Sequence, residues 1–157
     1  MRILLDTNVW LDNYLPEREG HRVIGDLLVA CVEGGHEVLY ASVSAKDVFY
    51  LIARAYKLYA RAGGDLREGA AGAANEMAWA CIDNMNEIAT PVGMDGSDLW
   101  IAAKHKRLHA DFEDNLVLAA AIRAKADYLV TSDEQLLRKA PVAALHPRDM
   151  LRLLAPL

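Results

Sequence analysis

The chain has 157 residues, of which 54% are hydrophobic and 25% charged, so we predict one globular domain over 1–157 with a core of its own. No stretch approaches the roughly 18 uninterrupted apolar residues that a membrane span needs, and the first acid comes too early for a signal peptide. We therefore expect a cytoplasmic protein without a membrane segment, and its net charge of −5 argues mildly against bulk affinity for nucleic acid.

The first predicted element is a buried strand that ends at a carboxylate. The continuous apolar run Ile3-Leu4-Leu5 favours a strand covered on both faces, as in a parallel sheet, and Asp6 follows at the edge where such sheets bind ligands. Periodicity and glycine breaks then predict further elements: a helix over 19–33, a strand over 37–41, a helix over 45–62 with Val48, Leu51, Ile52, Ala55 and Leu58 inward, and a helix over 65–85 capped by Asp65. The last two helices should form an antiparallel hairpin.

The second half of the chain continues the alternation of strands and helices. The predicted elements are a weak strand over 86–90, helices over 97–108 and 116–126, a strand over 128–131, a short helix over 134–139, a strand over 142–145 and a helix over 147–154. This alternation predicts an α/β fold, a three-layer α/β/α sandwich with a mostly parallel sheet.

Acids stand at the ends of elements that should share one edge of the sheet. Asp6 and Asp133 follow strands, Glu113 and Asp114 open a helix, and Asp47 lies in the first turn of another helix. Each acid alone also fits a capping role, which contributes about 0.3–1 kcal/mol against the helix dipole. Together they would repel one another unless a cation neutralised them, and Mg²⁺ or Mn²⁺ suits such oxygen ligands.

Four segments resemble the motifs of PIN domains, a family that includes the VapC-type toxin ribonucleases: LLDTNVWLD, ASVSAKDVFYLIAR, FEDNLVLAAA and YLVTSDEQLL. The resemblance covers nearly the whole chain in the expected order. It implies a parallel sheet of about five strands and an acidic pocket that binds Mg²⁺ or Mn²⁺ and cleaves phosphodiester bonds, usually in RNA. By position, Asp6, Asp114 and Asp133 match the family's acidic positions, so we predict them as metal ligands and catalytic residues.

The fourth acid departs from the family pattern. Many PIN domains carry Glu where this chain has Asp47, whose shorter side chain would reach a metal through water. Glu113 is the alternative, but it diverges by about 100° from its helical neighbour Asp114. We therefore rank Asp47 first as the group that positions the attacking water or takes its proton.

Three further polar residues are predicted to support the acids. We expect Asn8 to orient Asp6 or to cap the turn, and Thr131 or Ser132 to hydrogen-bond a carboxylate or a phosphate. The basic run over 104–107 suits a helix C-terminus and would equally guide a phosphate backbone. His105 and His109 have a spacing that permits metal ligation, but no third ligand points to a zinc site.

The leading hypothesis is a divalent-metal-dependent ribonuclease with RNA as substrate, and the resemblance adds an antitoxin protein as a candidate partner. A second copy of the chain is another candidate partner, for the hairpin of helices. A catalytically silent scaffold is the alternative, because Asp47 replaces the family's Glu. Receiver or phosphatase modules fit less well, since Asn8 stands where the phosphatase pattern requires a second acid.

Overall fold

The computed structural model describes residues 1–64 and 68–155, and its sheet contains five strands. The strands are β1 (Arg2–Leu5), β2 (Glu37–Ala41), β3 (Thr90–Val92), β4 (Tyr128–Val130) and β5 (Ala144–Leu145). The helices of the described part are α1 (Thr7–Tyr14), α2 (His21–Glu33), α3 (Ser42–Ala62), α4 (Glu68–Ile88), α5 (Gly96–Lys104), α6 (Phe112–Arg123), α7 (Glu134–Lys139) and α8 (Pro147–Leu154). Among these described helices, none has the length and apolar character to cross a membrane.

All strand pairings are parallel, in the order β3-β2-β1-β4-β5. Alternate residues of β1 serve two separate cores: Ile3 and Leu5 pack with α1, α2, α3, α4 and α8, whereas Leu4 packs with α6 and α7. Helices therefore cover both faces, which confirms the predicted three-layer α/β/α sandwich.

The strand order reverses at β1, and this positions the acids. The chain runs outward from β1 to β2 and β3 on one side, then returns to place β4 and β5 on the other. Ligands of open parallel sheets bind in the crevice outside the strand ends at such a switch point. Asp6 and Thr131, which follow β1 and β4, are brought side by side here, and the Asp6 N–H donates to the Val130 carbonyl oxygen at 3.0 Å.

The strand predicted over 86–90 was largely wrong. Helix α4 continues through Ile88, and the Ala89 N–H donates to the Met85 carbonyl oxygen to complete its last turn. The strand begins only at Thr90 and contains Pro91, which the prediction used as its end. Proline is tolerated because β3 lies at the edge of the sheet, where one side of the strand needs no ladder bonds.

Predicted helix and strand ends shifted elsewhere too. The prediction that Leu51 and Leu58 face inward was wrong, since both are exposed. Helix α3 packs mainly on α4, and its buried residues are Ser44, Val48, Ile52 and Ala53. The helix predicted over 97–108 ends at Lys104, which leaves 105–111 as a connection into α6. The predicted hairpin of α3 and α4 is confirmed by their contact, and its predicted cap Asp65 lies outside the described residues.

Candidate metal centre

Asp6 is a buried carboxylate with one satisfied oxygen and one free oxygen. Its side chain is almost fully buried at the end of β1, where the Thr131 hydroxyl donates to Oδ2 at 2.7 Å. The other oxygen, Oδ1, has no hydrogen-bond partner among the described residues. Burial raises the pKa of Asp6 above its ordinary value, although the bond from Thr131 opposes that shift.

Asp114 and Asp133 approach the same point from two other elements. Asp114 lies in the first turn of α6, and burial together with the negative charge of Asp6 raises its pKa from 3.8 to about 6. Asp133 caps α7 by accepting the Leu136 N–H at 2.8 Å. Partial burial opposes ionisation of Asp133, but the N–H groups of α7 and the side chain of His109 hold its pKa below the ordinary value.

His109 lies between these two carboxylates, and the sequence prediction missed this. Its Nδ1 is 3.2 Å from Asp114 Oδ2, and its Nε2 is 3.4 Å from Asp133 Oδ1. One ligand atom from each of the three residues lies within 4.8 Å of the others. The spacing of His109 from His105 permitted metal ligation but gave no third ligand, and the acids beside His109 come from parts of the sequence that only the fold brings near.

The connection that carries His109 is anchored by a buried side chain. Asn115 is 2% exposed, and its Nδ2 donates to the carbonyl oxygens of His109 at 2.8 Å and Asp111 at 2.9 Å. Asp111 in turn caps α6 by accepting the Glu113 N–H at 2.8 Å. These bonds fix the backbone on which the imidazole stands, so the position of His109 is set by the start of α6.

A second acidic pair lies beside the first group, and it contains both candidates for the fourth acid. The Thr7 hydroxyl lies 2.8 Å from Ser44 Oγ and 3.3 Å from Glu113 Oε1. Burial and the neighbouring charge of Asp47 raise the pKa of Glu113 from 4.5 to about 7. Oδ2 of Asp47 is buried without a hydrogen-bond partner among the described residues. Asp47 and Glu113, the two alternatives for the fourth acid, therefore lie next to each other in the structure.

A family model described as PIN domain matches residues 2–135. The chain belongs to the PIN domain family. No curated protein matches it. A chain in the crystal structure of VapBC2 from Rickettsia felis bound to a DNA fragment from their promoter is similar to it with a TM-score of 0.62 and 14% sequence identity, over 93% of this chain and 98% of that chain. At this identity the similarity concerns the fold.

The three supporting residues that were predicted for this PIN domain have different outcomes. Thr131 hydrogen-bonds a carboxylate, as predicted for Thr131 or Ser132. Ser132 is exposed and lines a separate cleft with residues of α2 and α8. Asn8 is exposed at the second position of α1, and the side-chain hydrogen bond to Asp6 comes from Thr131. The role of Asn8 in orienting Asp6 or in capping the turn therefore stays a prediction.

The donor atoms of this PIN domain fit a hard divalent cation. Asp6, Asp114 and Asp133 offer carboxylate oxygens, the ligands that Mg²⁺ and Mn²⁺ take. Two observations agree with this fit: the buried Oδ1 of Asp6 has no partner among the described residues, and burial and the charge of Asp6 raise the pKa of Asp114 to about 6. A buried polar atom without a partner costs about 1–3 kcal/mol, which a bound cation would offset.

Proposed function

We propose that this PIN domain is a divalent-metal-dependent ribonuclease. The observation that carries the proposal is the convergence of Asp6, Asp114 and Asp133 at the switch point of the sheet, around a buried oxygen without a partner among the described residues. These three residues would hold Mg²⁺ or Mn²⁺. When bound, such an ion lowers the pKa of water and offsets charge on a phosphate under attack.

Glu113 and Asp47 are the groups suited to proton transfer. A general base works best with a pKa near the working pH, and the pKa of Glu113 is about 7. Glu113 takes the proton of the attacking water, while the Thr7 hydroxyl holds its carboxyl group in place. Burial raises the pKa of Glu113, and the charge of Asp47 adds to that rise, so Asp47 sets the pH range in which Glu113 acts.

Exposed basic and aromatic side chains in and around the connection that carries His109 support a single-stranded nucleic acid as substrate. Lys106 and Arg107 are exposed in the connection that also carries His109. Trp100 and Phe112 are exposed on either side of that connection, and the Lys104 ammonium lies 5.5 Å from the centre of the Trp100 ring. Cations bind the backbone phosphates and exposed rings stack on bases, which is how single strands are held without sequence preference. The choice of RNA over DNA rests on the resemblance to PIN ribonucleases.

The decisive experiment measures metal binding and cleavage on the same preparations. Chelator-treated wild type and Asp114→Asn are melted in a titration of Mn²⁺, then incubated with a fluorescent single-stranded RNA and with DNA of the same sequence. We expect Mn²⁺ to raise the melting temperature of the wild type only, because binding adds about 2.7 kcal/mol to the free energy of unfolding at a hundredfold excess over the dissociation constant. We expect RNA cleavage by the wild type that chelator abolishes. Metal binding without cleavage of any RNA would favour the silent scaffold, and no binding at millimolar Mn²⁺ would refute the metal site.

The roles of the second acidic pair are tested by separate substitutions. Glu113→Gln removes the base and should lower kcat by about 10²-fold or more, within the range for general-base catalysis. Asp47→Asn keeps Glu113 but removes the neighbouring charge, so the acidic limb of the pH–rate profile should move to lower pH. An unchanged profile in Asp47→Asn would show that Asp47 does not act through Glu113.

We propose an antitoxin-type protein as the partner of this domain, with the hairpin of α3 and α4 as its binding face. Tyr50 and Trp79 are more than half exposed there, beside a groove of about 660 Å³ that carries Arg54, Lys57 and Arg61. Co-expression with the product of an adjacent small reading frame should yield a complex that Trp79→Ala weakens. The same face is the candidate contact for a second copy, and a monomeric mass at high concentration would count against that dimer.

A further inference from the structure

Among the residues that the structure describes, His109 is the one imidazole within the acidic group, and its place there is set by the fold. It comes from the connection between α5 and α6, and Asn115 fixes its backbone carbonyl at 2.8 Å. The side chain is 11% exposed and lies between a carboxylate of α6 and a carboxylate that caps α7. The bond from Asn115 therefore holds the backbone of His109 at a fixed place beside the two carboxylates.

The distances around the ring match those between neighbouring ligands of one metal ion. Two ligands at right angles, each about 2.1 Å from an ion, are about 3 Å apart. His109 Nδ1 lies 3.2 Å from Asp114 Oδ2, and Nε2 lies 3.4 Å from Asp133 Oδ1. Either nitrogen is therefore close enough to share an ion with a carboxylate. The ring nitrogen that does not bind the ion would carry the ring proton. Its N–H would donate a hydrogen bond to the carboxylate on that side of the ring, as is usual around metal-bound histidines.

We propose that His109 is a nitrogen ligand of the divalent ion, so that this site takes a first-row transition ion such as Mn²⁺ in preference to Mg²⁺. The inference rests on the proposed metal site and adds its chemistry. Mg²⁺ takes oxygen ligands almost exclusively, whereas imidazole suits transition ions. Three carboxylates alone would discriminate little between the two ions. Oδ1 of Asp6 is almost fully buried and has no hydrogen-bond partner in the part of the chain that the structure describes, so it would provide an oxygen for the same ion.

The test uses His109→Asn with His105→Asn as the matched control. Both substitutions remove an imidazole from the same connection, but among the described residues only His109 belongs to the group whose ligand atoms lie close enough together to hold an ion. In titration calorimetry we expect His109→Asn to weaken Mn²⁺ binding about tenfold and Mg²⁺ binding much less. A tenfold change in affinity corresponds to about 1.4 kcal/mol of binding free energy. His105→Asn should bind both ions as the wild type does.

Pulsed electron paramagnetic resonance of bound Mn²⁺ reads the ligand directly in the wild type, so the test does not depend on a variant that folds. We expect a coupling from directly bound ¹⁴N that disappears in His109→Asn and persists in His105→Asn. If Mn²⁺ binds and Asp114→Asn abolishes binding, but no nitrogen coupling appears, His109 is only a charge partner and the inference fails while the metal site stands. If the wild type binds no Mn²⁺, the metal site and the inference fail together.

Discussion

Without metal, Asp114→Asn should stabilise the protein at neutral pH. In the folded chain the pKa of Asp114 rises from 3.8 to about 6, because of burial and the nearby charge of Asp6. Between these values the folded state keeps a proton that the unfolded chain has lost, so stability falls as pH rises through this window and levels off above it. Asparagine has the same shape and no charge, so it avoids this loss.

The size of the effect follows from the shift. Each tenfold change in an acid constant is about 1.4 kcal/mol, so a rise from 3.8 to about 6 corresponds to about 3 kcal/mol. The side chain is 23% exposed and water screens part of the repulsion, which reduces the expected gain to about 1–3 kcal/mol. For a chain of this length 1 kcal/mol moves the melting temperature by about 2–4 °C.

The assay is urea unfolding in chelator from pH 4 to pH 7.5, with Asp149→Asn as the control. Asp149 is the third residue of α8, as Asp114 is of α6, but it is exposed and pairs with Arg152 at 3.0 Å. The control should lose a few tenths of a kcal/mol, with little dependence on pH. Asp114→Asn should gain stability at pH 7.5 and lose that advantage near pH 4. Equal destabilisation of both variants at pH 7.5 would refute the electrostatic account.

Two further substitutions test how buried carboxylates are held. Thr131→Val removes the hydroxyl that donates to Asp6 and should lower the free energy of unfolding in urea by about 1–3 kcal/mol at pH 7.5. Thr131→Ser keeps the donor and should lower it less. Equal losses in the two variants would show that packing of the Thr131 methyl group matters instead. Arg123→Met leaves the carboxylate of Asp98, which is 2% exposed, without its ion-pair partner. The free energy of unfolding should fall by about 3–5 kcal/mol. Arg138→Met, which breaks an exposed ion pair, should lower it by less than about 1 kcal/mol. A loss at Arg123 as small as that at Arg138 would mean that water reaches Asp98.

The acids of the site could be predicted from the sequence because each is marked by its immediate neighbours. Asp6 follows an unbroken apolar run, Asp133 follows another, and Asp114 opens a helix with an alanine-rich face. Parallel strands then bring such positions to one edge, whatever the exact order of the strands. The predicted cap at Asp133 is present for the same reason, since a cap involves residues only three apart.

The α/β class, the parallel sheet and the element ends at which the acids stand could be predicted from the sequence, because apolar periodicity and capping depend on residues close together in the chain. The place of His109 between Asp114 and Asp133 and the pairing of Glu113 with Asp47 could not. These partners come from separate elements, and their distances depend on strand order and helix packing. The ends of weak elements such as β3 were decided in the same way, because packing on a neighbouring strand outweighs local preference there.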